Sequence, residues 1–206
     1  MSSLDLELQD RWGRGLQIAD SMLGRLEDAT NLVAGILVFG LMLLGVSQVV
    51  SRNLFSAPIF GYIDIVEVFM VGFTILSIAY VQRLGGHVRM EVLLSALKGR
   101  RLWILELISC TLTSVIVAVL IPGSYAHFSR AFEFGDSTMD VELAVWPAKL
   151  VVPVALSVLL VRLLIQLMGY ARMVRNPSLP RVAIPTSASS ADRAKEEIAM
   201  VQDVEK

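Results

Sequence analysis

The chain has 206 residues, 55% of them hydrophobic and 18% charged, with a formal net charge of −1 and a mean hydropathy of +0.65. Soluble domains run at about 45–50% apolar and about 25% charged, so this composition excludes an ordinary soluble fold and points to the bilayer. A net charge near zero gives no bulk attraction to nucleic acid. A lone cysteine, Cys110, excludes an intrachain disulfide and any multi-cysteine zinc or iron–sulfur site.

Residues 1–28 read as a cytoplasmic amphipathic segment. Leu4, Leu8, Trp12, Leu16, Ala19, Leu23 and Leu26 recur at steps of three and four, which keeps one helical face apolar. The acids among the first thirty residues, and the want of a short apolar core with a small-residue cleavage site, argue against a signal peptide. The first span is therefore expected to stay in the mature protein. The segment reads as a surface-lying helix leading into that span, or as a docking helix for a partner.

Four spans follow, at about 29–51, 62–84, 102–122 and 146–170, making residues 29–175 an all-α integral membrane domain. Ala29 to Ser51 is 23 residues without a charge, enough to cross a hydrocarbon core of about 30 Å. Arg52 ends it, and Ser56-Ala57-Pro58 marks a turn. The second span carries Asp64 and Glu67 in its first turns, three apart and expected on one face, near a helix N-terminus whose dipole favours negative charge. A carboxylate at the centre of a spanning helix costs roughly 2.5–3.5 kcal/mol, less near an end, so each should have a partner or a task.

Arg100, Arg101, Trp103 and Glu106 introduce the third span, and Pro122-Gly123 is expected to end its regular helix. Trp146 and Pro147 open the fourth, Pro147 suiting a first helical turn, while Pro153 falls inside and should kink it. Lys149 and Arg162 lie in the same helix about 20 Å apart, so at least one is expected to face protein. Matching depths in an antiparallel bundle suggests Glu67 as the partner of Lys149 and Glu106 as the partner of Arg162.

The loops set the orientation. Residues 82–102 hold Arg83, Arg89, Lys98, Arg100 and Arg101 against Glu91, whereas residues 123–142 hold Arg130 against Glu133, Asp136, Asp140 and Glu142. By the positive-inside rule the first loop is cytoplasmic and the second external, which puts both termini inside. Met90, Leu93, Leu94 and Leu97 suggest a short interfacial helix on the inner face. Residues 176–206, with Pro177, Pro180, Pro185 and a serine-rich run, read as a disordered cytoplasmic tail.

No catalytic, cofactor or metal site emerges. His87 and His127 fall on opposite membrane faces, so one haem iron cannot take both. A quinone–disulfide oxidoreductase would need more cysteines, and neither a glycine-rich phosphate loop nor an HExxH is present. His87, after Gly85-Gly86, reads as a surface histidine holding a tight turn beside Arg89. Glu67 could be a proton site, which would make the chain a self-contained small transporter, or it could be a structural anchor; a non-transporting membrane adaptor is the third alternative.

The Arg52-Asn53-Leu54-Phe55 exit from span one, Glu67 early in span two and Gly-Gly-His-Val-Arg at 85–89 come in order, followed by Trp146-Pro147 and Pro153. In these features, over about residues 25–170, the chain resembles the DctQ-type small permease subunit of tripartite ATP-independent periplasmic (TRAP) transporters. The resemblance implies an inner-membrane scaffold in a bacterium or archaeon. Its partners would be a large, elevator-type permease subunit carrying substrate and sodium sites, a periplasmic solute-binding protein, and the lipid around it. The implied process is sodium symport of a solute such as an organic acid. Arg52, Asp64, Glu67, His87, Arg89, Glu106, Trp146, Pro147, Lys149, Pro153 and Arg162 are then candidates for structural or partner-contact roles.

Overall fold

Long uncharged runs can satisfy their backbone within lipid only by closing every hydrogen bond internally, and the chain responds with helices throughout. The computed structural model describes residues 3–85 and 100–175, with side chains from 15 to 85 and from 101 to 175. The helices are α1 (Ser3–Phe55), α2 (Tyr62–Leu76), α3 (Ile78–Arg83), α4 (Arg100–Phe134) and α5 (Trp146–Arg175). Four stretches are long and apolar enough to cross a membrane: Gly15–Phe55, Tyr62–Arg83, Arg101–Phe134 and Trp146–Arg175. The chain is an all-helical, multi-pass membrane protein. His87, Arg89, the expected helix around Leu93 and the tail from residue 176 lie outside the described residues.

Helix α1 runs 53 residues without interruption, about 80 Å, so the amphipathic segment and the first span share one backbone. The second span is α2 and α3 in sequence, parted at Ser77. The Ser77 hydroxyl donates back to the carbonyls of Phe73 at 3.3 Å and Thr74 at 3.4 Å, a local competitor to the helical ladder. Gly85 ends α3 in a left-handed conformation (φ 66), its N–H reaching the Gln82 carbonyl at 3.1 Å. The first glycine of the Gly-Gly-His-Val-Arg sequence is therefore a helix terminator.

Helix α4 corrects the expectation at Pro122: regular helix continues through Pro122-Gly123 to Phe134. Proline deletes one ladder bond, and apolar helix on either side has no other way to satisfy its backbone in lipid, so the helix carries on. Pro153 likewise sits inside α5.

The core is the seam between α4 and α5. Trp103, Leu107, Cys110, Val117 and Ile121 follow one another at steps drawn from three, four and seven, as do Val152, Leu156, Leu159, Leu163, Tyr170 and Met173 on the other helix. The pair is antiparallel, with Trp103 beside Tyr170 (ring centroids 6.3 Å apart) and the Cys110 thiol donating to the Leu163 carbonyl at 3.5 Å. Ala79 of α3 joins this cluster, while Leu16, Ala19 and Leu23 of α1 pack on Ile165. Helix α5 is thus central: its most apolar stretch is 44% buried, against 6% for that of α1. Helix α1 lies along the outside.

Candidate functional site: polar ties at the two ends of the bundle

Where α1, α3 and α5 meet, charged side chains gather at the basic end of the bundle. Arg162 of α5 is 2% exposed and Glu27 of α1 is fully buried. The Arg162 guanidinium pairs with Asp20 and approaches Glu27, its Nε 3.7 Å from Oε1. From the other side Arg83 of α3 brings its Nε to 3.3 Å from Glu27 Oε2 and pairs with Asp28. Glu27 is therefore held between two guanidiniums, at ionic rather than hydrogen-bonding geometry. Gly24 makes room for this: a β-carbon there would sit 2.5 Å from Arg83 Nη1. Arg83 also lies over the Tyr80 ring, 5.1 Å from its centroid.

A neutral tie accompanies the ionic ones. Gln82 Nε2 donates to Gln166 Oε1 at 2.8 Å, and Gln166 is fully buried in α5. In a low-dielectric interior such groups are stable only when paired, so each ion pair fixes where α1 and α3 sit against α5.

The depth-matched partners expected for the two fourth-span cations are replaced. Arg162 is taken by Asp20 and Glu27 of α1, and Lys149 by Asp136, whose Oδ2 is 2.7 Å from the ammonium. Glu106 is half-buried on α4. The acids that serve Arg162 were legible in one respect. Asp20 and Glu27 are seven apart, two helical turns, so they share a face of α1. Both lie in the segment 1–28, whose sequence reads as surface-lying and not as part of a span.

At the opposite end, Asp64 is only 4% exposed, and its Oδ2 accepts the backbone N–H of Asp140 (3.0 Å) and of Val141 (2.8 Å). The loop it holds folds back on itself. Ser137 and Ala144 form an antiparallel bridge, Thr138 N–H donates to the Leu143 carbonyl at 3.0 Å, and Leu143 N–H donates to the Thr138 hydroxyl at 3.0 Å. Gly61, left-handed at φ 72, lets this loop approach the start of α2; a β-carbon there would collide with Val141. The Lys149 ammonium, hydrogen-bonded to Asp136, holds that carboxyl below the usual carboxylate range, and the charge of Arg130 adds to the effect. On the neighbouring turn, Ile59 N–H donates to Gln48 Oε1 at 2.7 Å. Phe128, Phe132 and Trp146 stack at the same end, Phe132 meeting Trp146 edge-on at 5.6 Å, as aromatic residues do at a membrane–water boundary.

Asp64 and Glu67 do not share a face in the fold. Three residues turn a helix by about 300°, and the remaining 60° carries one across the edge of the packed side. Asp64 points into the protein and Glu67 is exposed. Arg52 is exposed in the last turn of α1, where a cation suits the helix dipole. Trp146 and Pro147 occupy the first turn of α5. Among the described residues no three His, Cys, Asp or Glu side chains are placed to hold a metal ion.

Comparison with known proteins gives one family. The family model described as "Tripartite ATP-independent periplasmic transporters, DctQ component" matches residues 41–173. Neither the curated proteins nor the solved structures contain a match. The matched span takes in both bilayer-length helices of the core seam, the Asp64-held loop and the Arg162 side of the charge cluster. With four apolar spans and the family model matching residues 41–173, most of the chain, the chain belongs to the DctQ family, the small permease component of TRAP transporters.

Proposed function

We propose that this chain is the fixed membrane scaffold of its transporter. It supports a large elevator-type permease subunit in sodium-coupled uptake of a solute, an organic acid, delivered by a periplasmic binding protein. The observation that carries the reading is where the intramembrane charge goes. Arg162, Arg83 and Glu27 are spent on tying helices together, and Asp64 on gripping a loop. What remains outward is mostly apolar helix, above all α1. A wall needs rigid internal ties and lipid- or partner-facing surface; a carrier needs polar groups converging on a solute.

In this reading the cytoplasm lies at the basic end, with Arg83, Arg172 and Arg175, and the acidic loop 135–145 faces the binding protein. Both termini are then cytoplasmic, and the membrane is the inner membrane of a bacterium or archaeon. The segment 1–28 and the tail 176–206 lie on the cytoplasmic side, and Arg89 and its neighbours anchor the inner face to anionic lipid, each basic residue contributing about 1 kcal/mol. An elevator element slides against something that does not move, and the length of α1 widens that wall.

Proteoliposomes test it. The chain with its large subunit and binding protein should give sodium-dependent solute uptake, and the chain alone should give none. Uptake by the chain alone would sink the proposal and favour the self-contained transporter using Glu67.

A further inference from the structure

The exposed face of α2 is apolar except at one point. Ile63, Met70 and Val71 are exposed along it (67%, 50% and 37%), with Thr74 continuing the stripe. These positions recur at the spacing of a single helical face, and Glu67 stands in its middle. Beyond the edge of this stripe the helix is packed, with Asp64 and Gly72 buried. Thr74 needs no outside partner, since its hydroxyl donates to the Met70 carbonyl at 2.8 Å. Glu67 does: among the described residues, none is hydrogen-bonded or ion-paired to its carboxylate, whereas Asp20, Glu27, Asp28 and Asp64 in the spans each have a partner within the chain. It sits five residues into α2, about 7.5 Å along the axis from Tyr62.

We infer that the Ile63–Thr74 face of α2 is the surface on which the large permease subunit docks, and that a membrane helix of that subunit presents a guanidinium or ammonium group to Glu67. The inference rests on the scaffold reading above and adds the face and the chemistry of the contact. Charge decides the occupant. Lipid tails offer Glu67 no cationic partner, so its charge would cost free energy against them. A second copy of this chain meeting the first across the same stripe would bring two Glu67 carboxylates together, an unfavourable like-charge contact in a poorly screened interface. A partner of opposite sign turns the one polar group on an apolar stripe into a register mark. Apolar contact then supplies area, and the ion pair fixes depth and rotation.

The test uses the full chain co-expressed with its large subunit, with a photo-crosslinking amino acid placed in turn at Ile63, Met70, Leu112 or Val119. Leu112 and Val119 are exposed on α4 (61% and 71%) and serve as the contrasting face. Crosslinks to the large subunit are expected from Ile63 and Met70 and not from the α4 positions. Glu67→Lys should lower the crosslinked and co-purified fraction at least about tenfold, with Glu67→Gln in between. Because Glu67 points away from the core, the Glu67→Lys chain should retain wild-type hydrogen exchange at the Asp140 and Val141 amides. Crosslinking from α4 alone, with co-purification intact, would overturn the assigned face and leave the scaffold reading standing. Crosslinks between two copies through Ile63 would replace the large subunit with self-association. Failure of the wild-type chain to co-purify with the large subunit would overturn both.

Discussion

The two ends of the bundle are held by different chemistry. At the basic end, side chains pair with side chains across helices: Arg162 with Asp20 and Glu27, Arg83 with Glu27 and Asp28. At the acidic end a side chain grips backbone, Asp64 accepting two N–H groups of the 138–144 loop. The first arrangement positions whole helices. Its centre, Arg162 and Glu27, is buried, and removing one of these leaves the other charge without full compensation. The second positions a loop between two helix ends, and the amides it holds belong to exposed residues, Asp140 and Val141. The same kind of carboxylate is therefore indispensable in one place and a local clasp in the other.

Arg162→Met should have the largest effect. Loss of one member of a buried ionic group costs about 3–5 kcal/mol, so the thermal midpoint in detergent should fall by many degrees. Adding Glu27→Gln should recover part of it, since Glu27 would otherwise stay buried beside Arg83 alone; strictly additive losses would show that the two residues act independently. Gly61→Ala comes next, at roughly 1–3 kcal/mol, because it adds a β-carbon against Val141 to a left-handed backbone. A variant as stable as the parent would mean the loop is not held where Val141 meets α2.

Asp64→Asn should stay local. Exchange at the Asp140 and Val141 amides should rise about tenfold while the α4–α5 core stays protected. Global destabilisation on the scale of Arg162→Met would erase the contrast between the two ends.

The smallest effect belongs to Lys149 and Asp136. Because the folded-state pKa of Asp136 is depressed, its contribution is present above the ordinary carboxylate pKa of about 3.9 and is lost as pH falls through the lower folded value. The protection factors of the loop amides, corrected for the intrinsic pH dependence of exchange, should be flat from about pH 5 to 8 and fall only in stronger acid. Lys149→Met should weaken that acid transition with little change in midpoint, as expected for a partly exposed pair, the Asp64 carboxylate still holding the loop. A transition near neutral pH would assign loop opening to another group.

Much of the architecture was open to reading from composition alone. Uncharged runs of bilayer length have one stable form in lipid, so the number of spans and their approximate limits follow without tertiary knowledge. Pro122 misled because the helix-breaking rule assumes that water is ready to take the freed carbonyl. At the sites, sequence order gave the depth of Lys149 and Arg162 but not their neighbours. Depth is one coordinate of three, and several acids share each level.

Hydrophobic content and charge asymmetry along the chain determined that this is a helical membrane protein with a basic and an acidic end. Five features of order and spacing also marked the family. Only the tertiary structure decided that α1 supplies the acids for Arg162, that Asp64 turns inward to a loop, and that Glu67 turns outward. Hydropathy is summed along a segment and survives any rotation of its helix, whereas an ion pair depends on the azimuth of each helix about its own axis. That azimuth is fixed by packing against neighbours distant in sequence.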